Sequence, residues 1–109
     1  MKPTDEQIKW FWEQCGLTVD YSERHICYYV YSRDGKELCS LGTFLDLNNL
    51  FKYAVPKLLH WHIQRVHLNM ANCFASVQRP DRFQFYDAYD NDPALALFWA
   101  CFKALGGNE

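Results

Sequence analysis

The chain has 109 residues, half of them apolar and 17% aromatic, enough for one hydrophobic core and far too apolar for a disordered segment. Its net charge of −2, with acidic and basic residues interspersed, leaves no broad basic surface to drive non-specific nucleic-acid binding, so nucleic acid is not an expected partner. The longest strongly apolar run, Ala94 to Phe102, is too short to cross a bilayer, and a single α+β domain over 1–109 without a membrane partner is expected.

The first predicted element is a helix at about 5–15. Thr4 is placed to N-cap it, Gln7 stands at the capping-box position, and Ile8, Phe11, Trp12 and Cys15 recur at helical spacing before Gly16 offers a stop. The polar start lacks the apolar core of a secretory signal, which predicts that the protein stays in the cytoplasm. The five cysteines (Cys15, Cys27, Cys39, Cys73 and Cys101) form no CxxC pair and sit among apolar neighbours, as buried thiols in a reducing compartment do.

Leu17, Val19 and Tyr21 then alternate with polar residues, and His25 to Ser32 is rich in β-branched and aromatic types, so both read as strands. The Asp34-Gly35 pair favours a tight hairpin, after which Glu37 to Leu41 returns as a short strand. A second helix at about 46–55 starts at Asp46 with Leu47, Leu50, Phe51 and Ala54 on its apolar side. Pro56 removes a donor and disfavours helical geometry at Val55, so this helix should stop or kink there.

Between Lys57 and Met70 both periods are present. Leu59, Ile63, Val66 and Met70 follow a helix, whereas Leu59, Trp61 and Ile63 alternate as in a strand. Asn72 to Gln78 reads as a strand, followed by a turn at Arg79-Pro80-Asp81 and a further apolar stretch at Phe83, Phe85 and Tyr86. A third helix at about 93–105 has Asp92 as N-cap, Pro93 at its first position and Gly106-Gly107 after its end. Its apolar residues spread beyond one stripe, which predicts cover on more than one side. These elements make a layered α/β/α sandwich with an antiparallel sheet the natural architecture.

The Asp46–Lys57 and Asp92–Gly106 segments, together with the Phe11–Gly16 start, resemble small uncharacterised proteins of bacteriophages, prophages and metagenomes. The closing helix, with Pro-Ala-Leu-Ala at its N-terminus, is similar to that of the phage ABA-sandwich domain. The resemblance implies a layered fold and a phage or mobile-element origin; it attaches no catalytic residues. It also implies strands at about 59–67 and 71–78 in the ambiguous region.

Chemistry-bearing residues are sparse. If 60–68 is a strand, His60 and His62 share one face and could pinch a metal, with a carboxylate or Cys73 from a neighbouring strand completing the set, whereas in a helix they point apart; no CxxC or HExxH accompanies them, and a polar surface face is the better reading. Asp87, Asp90 and Asp92 lack the glycine and terminal glutamate of a calcium loop and read as helix-capping acids. No cofactor and no enzymatic activity are expected. Arg79, Arg82, Lys52 and Lys57, interleaved with Phe83, Phe85 and Tyr53, are the candidate ligand-binding residues, for a phosphorylated ligand such as a nucleotide signal or for a single strand. The aromatic surplus points to an interaction surface, with Tyr28, Tyr29, Tyr31 and Trp99 as candidates. The expected function is therefore that of a non-enzymatic phage or mobile-element accessory protein in the bacterial cytoplasm. It would bind a host protein, in a host-interaction or anti-defence role, or associate with itself.

Overall fold

A computed structural model describes residues 2–58, 60–65, 73–81 and 84–107. The fold is α+β and all strand pairing is antiparallel, as expected. The strands divide between two three-stranded sheets, and the chain divides into two compact units, Pro3–Asp46 and the remainder from Leu47 on.

In the first unit, helix α1 (Asp5–Gln14) begins with the anticipated capping box: the Thr4 hydroxyl accepts from the Gln7 N–H, and the Gln7 side chain accepts from the Thr4 N–H. It ends in a Schellman motif. Gly16 has φ +91°, its N–H donates to the Glu13 carbonyl, and the Leu17 N–H donates to that of Trp12. Strands β1 (Thr18–Ser22), β2 (Cys27–Tyr31) and β3 (Glu37–Ser40) form a meander in that order. The β2–β3 turn is closed by the Ser32 N–H on the Lys36 carbonyl, 2.8 Å, with Gly35 at φ +88°. Asp34 accepts from the Ser32 hydroxyl, and this bond, followed by one from the Lys36 N–H, holds its carboxyl below the usual aspartate range.

A short helix, α2 (Leu41–Phe44), follows β3 directly and buries Leu41 and Phe44. Phe44 meets Trp12 edge to face at 4.8 Å, and Trp12 meets Phe11 in the same way at 5.0 Å. With Ile8, Leu17, Val19 and Val30 these side chains are the core of the unit. Each large one contributes about 1.5–3 kcal/mol through burial alone.

In the second unit, the expected helix of 46–55 is a composite segment, α3. It is α-helical at Leu47–Asn49, a π-helix at Leu50–Ala54 and 3₁₀ at Val55–Lys57. The Val55 N–H reaches back five residues to the Leu50 carbonyl, and Pro56 has no N–H to continue a regular ladder. Strands β4 (His60–Arg65), β5 (Cys73–Gln78) and β6 (Phe85–Asp90) form the second sheet with β5 central, so 60–65 is a strand rather than a helix. Parts of the expected strands, at 59 and at 66–72, lie outside the described residues, as do Arg82 and Phe83.

Helix α4 (Pro93–Ala104) packs on β5 and β6. The Asp92 carboxylate accepts from the Ala94 N–H at 2.8 Å, and Gly106 and Gly107 close a second Schellman motif onto Lys103 and Phe102. Residues Ala96 through Phe102 are all buried, which realises the expected cover on more than one side. Trp61 on β4 is tied to α3 by an edge-to-face contact with Phe51 at 4.7 Å. Among the described residues no helix is long and apolar enough to cross a membrane.

Candidate functional site

Alternation on β1 and β2 sorts the side chains of the first sheet. Val19 pairs with Val30 and Tyr21 with Tyr28 on one face, while Asp20 pairs with Tyr29 and Thr18 with Tyr31 on the other. The candidate interface tyrosines are therefore split. Tyr28 shares its face with Tyr21, and the two exposed rings meet edge to face at 5.5 Å. Tyr29 lies under the His25 imidazole, stacked at 4.1 Å, with Tyr31 next to it and Glu37 3.4 Å from His25 Nε2.

Two further features stand beside the Tyr21–Tyr28 pair. Ile26, in the β1–β2 connection, has φ +54° and is 78% exposed. A β-branched residue in the left-handed region is a genuine outlier, and nothing gained from burial offsets it here. A cavity of about 370 Å³ is lined by Tyr28, Leu41 and the α1 residues Asp5, Glu6 and Lys9. The Tyr28 ring thus belongs at once to an exposed aromatic pair and to a recess lined by two carboxylates and one ammonium.

The second sheet has two unlike faces. Cys73, Ala75 and Val77 of β5, with Ala88 of β6, are buried on the α4 side. On the opposite face the register sets His60, Gln78 and Phe85 in one row, His62, Ser76 and Asp87 in the next, and Gln64, Phe74 and Tyr89 in the third. Phe74 and Tyr89 are 4.9 Å apart, His62 is 6.3 Å from Phe74, and His60 meets Phe85 edge to face at 6.2 Å. His62 Nε2 is 3.1 Å from Gln64 Oε1.

His60 and His62 do share a face, as their spacing requires, but Cys73 pairs with Arg65 and leaves from the other side of the sheet. Among the described residues no three histidine, cysteine or carboxylate groups converge as a metal site would need. Asp90 is buried and accepts from the Asp92 N–H at 3.1 Å. Burial opposes its ionisation, yet hydrogen bonding to the charged form, the Asp92 bond included, prevails and keeps its carboxyl below the usual range. Asp90 and Asp92 thus serve the start of α4, and Asp87 projects from the open face. The cysteines of the chain are all free thiols, three buried and two half-buried.

The described cations among the candidate ligand-binding residues have different surroundings. Arg79 is bidentate to Asp81 at 2.9 and 3.0 Å and donates at 3.2 Å to the Ala104 carbonyl, so it joins a turn to the end of α4. Lys52 lies over the Tyr53 ring, Lys57 is exposed at the end of α3, and Arg82 lies outside the described residues. Trp99 is only 4% exposed, packed against Phe98 and Phe102, and belongs to the core.

Ile26, Tyr21 and Tyr89 are not singled out by the sequence. Tyr21 and Tyr89 are placed by cross-strand register, and Ile26 by the turn that joins β1 to β2, neither of which a local pattern encodes. No protein-family model, no curated protein and no solved structure matches this chain.

Proposed function

We propose that the protein is a non-enzymatic accessory protein of a phage or mobile element, working in the cytoplasm of the bacterial host by binding a host protein. The observation that carries this reading is the strained, exposed Ile26 beside the exposed Tyr21–Tyr28 pair. An apolar side chain held in an unfavourable backbone region and turned to solvent has no folding role, and aromatic rings at such positions anchor interfaces.

The cavity beside Tyr28 supports a partner that presents a basic side chain. Asp5 and Glu6 outnumber Lys9 on its wall and, with the Tyr28 ring, suit a lysine or arginine side chain, through charge and through the ring face. An apolar neighbour of that side chain would meet Ile26 and Tyr21. The resemblance of Asp46–Lys57 and Asp92–Gly106 to phage and prophage proteins supports a host-interaction or anti-defence setting.

Affinity capture from host lysate, run beside light scattering of the pure protein, tests the reading. A captured protein lost at high salt and lost in Tyr28→Ala supports a basic partner at this surface. A strict monomer that captures nothing contradicts it. Self-association through the same residues would appear as a concentration-dependent mass that Tyr28→Ala abolishes.

A further inference from the structure

The open face of the second sheet is independent of the Tyr28 surface and is built differently. From its pairing and ring geometry we infer that it is a stacking platform for the bases of single-stranded nucleic acid.

Three observations carry this. First, none of the positions on that face is aliphatic; they are rings, side-chain amides, a hydroxyl and a carboxylate. An apolar protein partner would find little to bury there, whereas every nucleobase has a π-face that such rings accept. Second, the rings run along the strands: His60 with Phe85 at one end, Phe74 with Tyr89 at the other, and His62 in the row between, 6.3 Å from Phe74. Phe85 and Tyr89 are four positions apart on β6, which at about 3.3 Å per residue separates their stacking surfaces by roughly 13 Å, room for successive bases of one strand rather than for one base. Their rings are 54% and 52% exposed in the folded chain, so the stacking surfaces are available.

Third, the middle row of the face sets an exposed carboxylate beside the His62 imidazole. Asp87 stands there across the buried Ser76, and its carboxylate can accept from the amino edge of a base. Exposed cations stand at both ends of the edge strand, Lys57 ahead of β4 and Arg65 at its last position. Arg65 starts from the opposite face, but at the outer edge of the sheet. These two place positive charge along the path a phosphate backbone would take past stacked bases. The net charge of the chain does not argue against such a site, because stacking rather than counterion release supplies the affinity, and the salt dependence should be shallow.

The test is fluorescence anisotropy of labelled single-stranded DNA and RNA oligonucleotides of mixed sequence, titrated with the full chain, with a duplex control. The expected result is binding of single strands in preference to the duplex. Phe85→Ala and Tyr89→Ala should each weaken it roughly tenfold, Tyr89→Phe should retain it, and far-UV circular dichroism should be unchanged in all three. No anisotropy change up to about 100 µM protein, the weak end of non-specific binding, would overturn the inference. So would binding that both alanine variants leave intact, or competition by a mononucleotide equal to that by the oligonucleotide. A mass halved by Tyr89→Ala without strand binding would assign the face to a second copy of this chain and overturn it equally.

Discussion

At the scale of single residues, backbone conformation decides which side chains are replaceable. Gly107 has the Phe102 ring 2.4 Å from where a Cβ would stand, and Phe102 is buried, so Gly107→Ala must displace a core ring. The expected cost is about 1–3 kcal/mol, read from chemical denaturation. Ile26 is the opposite case. Ile26→Asn places a residue that tolerates φ +54° at an exposed position and should stabilise the protein by about 1 kcal/mol while reducing partner capture. A loss of stability in that variant would show that Ile26 has a folding role. Asp90 couples the start of α4 to pH. Its carboxyl is held below the ordinary value of 3.8, so its contribution is present above that pH and disappears as pH falls through the lower folded-state value. Asp90→Asn should therefore destabilise near neutrality by about 1 kcal/mol, with a deficit that narrows below pH 3.8 in acid-dependent unfolding curves.

At the scale of elements, what was legible in the sequence is what a few neighbouring residues decide. Thr4 with Gln7, Gly16, the Asp34-Gly35 turn, Asp92-Pro93 and Gly106-Gly107 each act within one helical turn or one hairpin, and each appears where the sequence places it. Pro56 correctly marks an irregularity, but the π-helical stretch ahead of it is not legible, because Leu50 and Ala54 at i and i+4 fit one face of an ordinary α-helix equally well. The 60–65 segment was ambiguous for a related reason. Its Ile63 fits either period and its Trp61 only that of a strand, and pairing with Val77 and Ala75 makes it a strand. Arg79 shows the limit most clearly. As a cation near aromatics it reads as a ligand group, whereas the fold brings Asp81 and the Ala104 carbonyl to it. Arg79→Ala should accordingly lower stability by about 1–2 kcal/mol, measured by denaturation, through loss of charge-assisted bonds at the end of α4.

At the scale of the whole molecule, each unit has its own sheet, its own helix cover and its own exposed aromatic surface. The first unit offers a recess beside Tyr28 lined by Asp5, Glu6 and Lys9, together with the exposed Ile26 and Tyr21; the second offers a face of rings and amides on β4, β5 and β6. Among the described residues, the large exposed hydrophobics left over by the two cores are Ile26 and five aromatics. Those side chains are the basis of the binding proposal. The most direct measurement is a side-by-side capture from host lysate by the wild-type chain and by Tyr28→Ala, each shown to be folded. The account predicts a protein retained by the wild type in low salt and absent from the variant; capture that is identical in the two, or absent from both, would contradict it.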